Sequence, residues 1–246
     1  MSQASRLEAY RAARADVLGR IGAACSRAGR DPATVTLVAV SKTVPADALR
    51  DAVTAGFDLL GENRVQDALA KASDVPGARW QLVGPLQSNK AGRALEVFES
   101  IQTVDSVDLA RRLDRLVPEA RPGDRYPILA QVNVDHDPTK AGFEPDEIEV
   151  ALSGLLDLPH LAVRGLMTVG RATSDPTEAR GTFSGLRALS ERCRARWPGL
   201  GPELSMGMSD DFELAVEEGA TIVRVGRALF GERPTHHEAG AAHLHR

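Results

Sequence analysis

Cysteine is scarce in this 246-residue chain, which holds only Cys25 and Cys193. Both fall on segments that read as amphipathic helices, so they read as packed thiols rather than a disulfide or a metal pair, and a reducing cytoplasm is the expected compartment. Long apolar runs are also missing. No stretch approaches the ~20 apolar residues of a membrane span. The N-terminus, Met1-Ser-Gln-Ala-Ser-Arg-Leu-Glu8, lacks the apolar centre of a secretory leader and carries an acid early. An excess of basic residues is absent too: 30 Lys and Arg stand against 34 Asp and Glu, a formal net charge of −4. That balance argues against a nucleic-acid surface. No linker rich in Pro, Gly or Ser splits the chain, so residues 1–232 are expected to form one domain. Residues 233–246 have little apolar content and hold four of the six histidines. With no carboxylate or cysteine framework they read as a frayed tail, not a metal site.

What is present is a regular alternation. Residues 3–29 read as a helix, with Leu7, Tyr10, Val17, Ile21 and Cys25 near one face. Asp31-Pro32 follows it, and residues 35–42 form the first apolar, β-favouring run. Further strands are expected at 58–62, 79–84, 100–104, 126–134, 161–169, 203–208 and 221–225. Helices fit between them, after Pro45 and near 64–73, 88–97, 107–117, 145–156, 176–197 and 210–218. Eight strands separated by helices, with no hairpin needed, imply a parallel sheet. Eight units of this size close into a (β/α)8 TIM-type barrel with an extra N-terminal helix, and an open doubly wound sheet is the alternative.

The organising stretch is Thr36-Leu-Val-Ala-Val-Ser-Lys42. It ends in Ser41 and Lys42 at the carboxyl end of a buried strand, where α/β folds place their ligands. A lysine there is partly desolvated, which favours the neutral, nucleophilic amine and suits Schiff-base chemistry. A solvated rim lysine is the plain alternative. After the seventh strand, Ser205-Met-Gly-Met-Ser209-Asp-Asp offers two hydroxyls and the start of a helix, a ready anion site. After the eighth, Val223-Arg224-Val225-Gly226-Arg227 offers close backbone approach at Gly226. The alternation points Arg224 inward, with its Thr and Ile neighbours facing out. The plain alternative is that Ser209 and Asp210 cap a helix while Arg224 pairs with Glu62. Lysine, phosphate loops and an inward arginine converging on one mouth suggest pyridoxal 5′-phosphate, whose aldehyde needs the amine and whose phosphate needs the loops.

Six motifs carry a resemblance that runs from end to end. They are Val38-Ala-Val-Ser-Lys42, Gly61-Glu-Asn63, Gly84-Pro-Leu-Gln-Ser-Asn-Lys90, Gly165-Leu-Met167, Leu204-Ser-Met-Gly-Met-Ser-Asp-Asp211 and Val223-Arg-Val-Gly226. In this order they resemble the pyridoxal-phosphate homeostasis family, which shares the alanine-racemase barrel. The resemblance implies a covalent aldimine on Lys42, with Ser205, Ser209, Gly226 and the amide of Arg227 holding the phosphate. It implies Arg224 at the pyridine nitrogen and Asn63 and Met167 along the ring. Position 227 is often a small hydroxyl residue in the family, so the arginine here puts a side-chain phosphate bond in question. Lys140 and Lys90 match family lysines and read equally well as solvated.

Three functions compete: a carrier and buffer of the cofactor, a racemase or decarboxylase on the same barrel, and a cofactor-free Schiff-base aldolase. A related racemase needs a tyrosine opposite the lysine, and the chain has only Tyr10 and Tyr126, both expected away from the mouth. Neither cysteine is placed as an acid, and no C-terminal β-domain is expected after the eighth strand. The expectation is therefore a monomeric carrier with little or no turnover, which supplies pyridoxal phosphate to apo-enzymes.

Overall fold

In the computed structural model, which describes residues 2–171, 173 and 175–231, eight parallel strands close into a barrel in sequence order. The proposed tail at 233–246 lies outside the described residues. The chain opens with α1 (Gln3–Arg27), followed by β1 (Thr36–Val40), α2 (Ala46–Thr54), β2 (Leu59–Glu62), α3 (Val65–Ala72) and β3 (Arg79–Leu82). It continues with α4 (Ala91–Val97), β4 (Ser100–Val104), α5 (Val107–Ala120), β5 (Tyr126–Gln131), α6 (Pro145–Leu156) and β6 (Leu161–Met167). The last turns are α7 (Pro176–Arg196), β7 (Glu203–Ser205), α8 (Phe212–Glu217), β8 (Ile222–Val225) and α9 (Arg227–Phe230). β8 pairs with β1 over Thr36 to Ala39, and this closure removes every free sheet edge among the described residues.

The β-barrel separates two apolar layers. The outer one packs helices on strands and includes Leu60, Leu82, Leu166, Val223 and Val225. The inner one fills the barrel with Val38, Leu59, Val83, Leu129, Met167 and Ile222. Each wholly buried side chain of this size contributes about 1.5–3 kcal/mol. Successive strand residues face opposite layers, so Arg224, flanked by two outer-layer valines, points into the barrel as expected. Ile222 corrects the expectation, because it shares the phase of Arg224 and faces inward beside it.

Helix α1 stops at Arg27, before Asp31-Pro32, because Gly29 takes a left-handed backbone with φ of 64°. Tyr10 of α1 packs edge-on against Phe57 and Phe230, tying the leading helix to the barrel wall and to α9. Strands β5 and β7 are shorter than their apolar runs suggest. Pairing nonetheless persists just past both ends: Val132 forms a bridge with Phe143 and its N–H donates to the Met167 carbonyl at 2.8 Å, and the Met206 N–H donates to the Ile222 carbonyl at 3.1 Å.

Candidate functional site

Every β-strand delivers its last residues to one face of the barrel, where a cavity of about 690 Å³ opens. Its walls are apolar at Val40, Val83 and Val169 and basic at Lys42, Lys140, Arg224 and Arg227. Asn63, Met208, Ser209, Asp210 and Gly226 complete it. Thus Lys42, Asn63, Ser209, Arg224, Gly226 and Arg227, all chosen from sequence, meet at one site, and Lys140 joins them. Ser205 and Met167 do not line it. Met167 is fully buried in the inner apolar layer, and Ser205 lies fully buried beneath the floor. Lys90 ends a 3₁₀ turn at Ser88–Lys90 and is not among the lining residues.

Lys42 follows the end of β1 in a turn whose next residue, Thr43, has φ of 70°. The peptide before it is clamped. Glu62 is fully buried, and its Oε1 accepts from Ser41 Oγ and Lys71 Nζ, each at 2.8 Å. Lys71 also donates to the Ser41 carbonyl at 3.3 Å. Glu62 therefore pairs with Lys71, not with Arg224, which overturns the plain reading of the arginine. Sequence reasoning missed this pair, although Lys71 lies in the last turn of the helix that follows Glu62. Asn63 is set by Gly84: a Cβ there would fall 2.4 Å from the Asn63 carbonyl oxygen, so only glycine allows this approach.

Arg224 forms the floor. Its Nη1 donates to Ser205 Oγ at 2.6 Å and its Nη2 to the Thr168 carbonyl at 2.7 Å. Burial pulls its pKa down to about 10, opposed by the Asp211 carboxylate. Among the described residues no carboxylate forms a salt bridge with it. A buried guanidinium of this kind suits an acceptor atom supplied from the cavity.

The rim after β7 and β8 is more self-satisfied than expected. Asp211 Oδ1 accepts from the Met208 N–H at 2.6 Å, and burial raises this carboxyl above the usual carboxylate range. Ser209 Oγ accepts from the Gly226 N–H at 3.1 Å. The Arg227 side chain pairs with Asp210, so only its backbone is directed by α9. Both tyrosines lie elsewhere. Tyr10 sits in the outer cluster, and Tyr126, at the start of β5, donates to the Phe98 carbonyl at 2.8 Å. Burial raises the Tyr126 phenol well above its ordinary value. Cys25 and Cys193 are buried on α1 and α7.

Comparison with known proteins agrees with this architecture. Residues 23–234 match the family described as alanine racemase, N-terminal domain. A pyridoxal phosphate homeostasis protein of Pseudomonas aeruginosa is 42% identical over 224 residues, covering 89% of this chain and 94% of the relative. The solved structure of PipY from Synechococcus elongatus with pyridoxal phosphate bound superposes with a TM-score of 0.76 at 41% identity, covering 87% of this chain and 100% of that one. Alanine racemase from Corynebacterium glutamicum shares the fold, at a TM-score of 0.66 and 18% identity, over 93% of this chain and 62% of its own. The barrel, the ordered motifs and these likenesses together show that the chain belongs to the alanine racemase N-terminal domain family, among its pyridoxal phosphate homeostasis proteins.

Proposed function

We propose that the carboxyl-end cavity binds pyridoxal 5′-phosphate covalently through Lys42, and that the chain holds this cofactor and passes it to apo-enzymes in the cytoplasm. The observation that carries the reading is the donor set: the Lys42 amine and the buried Arg224 guanidinium share one cavity with the Ser209 hydroxyl and the Gly226 backbone. When bound, pyridoxal phosphate supplies an aldehyde for the amine and an electron-withdrawing ring. Lys42 would take the aldehyde carbon, Arg224 the ring nitrogen, and Asn63 one side of the ring. Ser209, Gly226 and the Arg227 amide would take the phosphate. Ser205 and Met167 would act from below, by holding Arg224 and by packing the floor.

Turnover of amino acids is disfavoured by what the walls lack. Two-sided proton transfer at an α-carbon needs an acid or base on each face, and the lining holds neither tyrosine nor cysteine. A guanidinium at the ring nitrogen also keeps that nitrogen unprotonated, weakening the ring as an electron sink. The only large exposed apolar residues among those described, Leu18, Val150 and Met208, lie on separate elements, which suits a monomer.

The test is the visible spectrum of the purified protein with pyridoxal phosphate, then borohydride reduction and peptide mapping. Lys42→Ala should abolish the absorbance while leaving the fold intact. Label on Lys140 or Lys90 refutes the assignment, and fast deuterium exchange with inversion at the alanine α-carbon favours the racemase instead.

A further inference from the structure

A single file of hydrogen bonds runs down the inside of the barrel from the cavity floor to its opposite end. Arg224 Nη1 donates to Ser205 Oγ, and Ser205 Oγ donates to Gln102 Oε1, both at 2.6 Å. Gln102 Nε2 donates to Gln81 Oε1 at 2.6 Å, and Gln81 Nε2 donates to Glu99 Oε1 at 3.3 Å. Gln81 and Glu99 line a second hollow, of about 420 Å³, with Ser100, Pro127 and Ala162 from the first residues of β4, β5 and β6. Gln102 and Ser205 are fully buried. An interior amide here is a choice against the valines and leucines that fill the same layer elsewhere.

The direction of this file is fixed from its far end. A carboxylate only accepts, so Glu99 must receive the Gln81 amide N–H. Gln81 then presents its carbonyl to Gln102, and Gln102 in turn presents its own carbonyl to Ser205. The one proton of the Ser205 hydroxyl is committed downward, leaving its oxygen to accept from Arg224. If Gln102 were reversed, Ser205 would face two donors and its proton would lose its acceptor. Buried unsatisfied donors of this kind cost about 1–3 kcal/mol each.

We infer that Gln102, acting through Ser205, is a positioning residue that fixes the Arg224 guanidinium for the ring nitrogen of the cofactor. The inference rests on the reading of the cavity as a pyridoxal phosphate site. It also gives Ser205 a role distinct from phosphate binding, since its only proton is already spent.

The experiment measures affinity for two ligands: pyridoxal phosphate, and its analogue with C–H in place of the ring nitrogen. The wild-type chain is expected to prefer pyridoxal phosphate by about tenfold or more, the ratio of one charge-assisted hydrogen bond. Gln102→Met, of similar length and without hydrogen bonds, should shrink that preference to about twofold or less. It should leave affinity for the analogue nearly unchanged. Ser205→Ala should give the same pattern and decides the matter if Gln102→Met does not fold. Equal losses on both ligands would mean that Gln102 merely supports the barrel, and the inference falls while the cofactor reading stands. Failure of the wild-type chain to bind either ligand removes both.

Discussion

Lys71→Met is the perturbation that most directly tests how the turn carrying Lys42 is held. Among the described residues Lys71 is the one cation paired with Glu62, and the Glu62 side chain has no exposed surface. The methionine keeps the stem of the lysine and deletes its ammonium. Glu62 would then keep a single neutral donor, Ser41 Oγ at 2.8 Å, while its Oε2 already has no hydrogen-bond partner. Removing one member of a fully buried ion pair costs about 3–5 kcal/mol. The Lys71 side chain is 15% exposed, so water recovers part of that and about 2–3 kcal/mol is the expected loss. With a urea m-value of about 2 kcal/mol/M, the unfolding midpoint should fall by roughly 1–1.5 M, read by far-UV circular dichroism. Glu62→Gln combined with Lys71→Met removes the orphaned charge as well and should regain more than half of the loss. A single variant within about 0.5 kcal/mol of the parent would refute the reasoning. So would a double variant less stable than the single one.

Gly226→Val should weaken pyridoxal phosphate binding more than Ser209→Ala in equilibrium titrations. A Cβ at Gly226 stands only 3.3 Å from the Val40 carbonyl oxygen and covers the backbone amides, whereas the serine change deletes one hydrogen bond worth roughly 0.5–1.5 kcal/mol. Equal or reversed losses would move the phosphate elsewhere. Tyr126→Phe should lower stability at neutral pH by about 1 kcal/mol, the bond to the Phe98 carbonyl, and flatten the alkaline limb of the stability profile. The sign follows from burial. The folded phenol keeps its proton above the ordinary value of 10, where the unfolded one has lost it, so wild-type stability falls as pH rises past 10. An unchanged alkaline slope in urea titrations at pH 9 and above would count against this.

The barrel was legible because parallel strands buried on both faces are continuous apolar runs, and all eight runs became strands. Their ends were not. β7 closes at Ser205 although the Met206 N–H still donates to the Ile222 carbonyl and the Gly207 carbonyl accepts from the Arg224 N–H, because Gly207, with φ of 90°, turns the chain out of the strand. The short helix α9 escaped notice because four residues carry no periodicity. Lys42, Ser209, Arg224 and Gly226 could be read because they sit at or just past strand ends, where the topology gathers residues, whereas Asn63 and the Arg227 amide were legible only through the family resemblance. The partners of these residues could not. Glu62 met Lys71 across a strand and a helix, and Gln102 met Ser205 across 103 positions. A lone glutamine in Ser-Ile-Gln-Thr-Val offers no signal of such a contact.

The bond from the Gly226 N–H to Ser209 Oγ bears on how quickly the protein can let go. If the proposed phosphate site is right, an arriving phosphate would take over a donor that is already engaged, exchanging one partner for another. The exchange would add no bond in number at this amide, so it would contribute less than the roughly 1 kcal/mol of a newly made hydrogen bond. Departure would be correspondingly easy, because the Gly226 N–H would regain Ser209 Oγ as its acceptor. On the proposed reading, residence time would be governed by the bond at Lys42, with the phosphate end a latch rather than a lock.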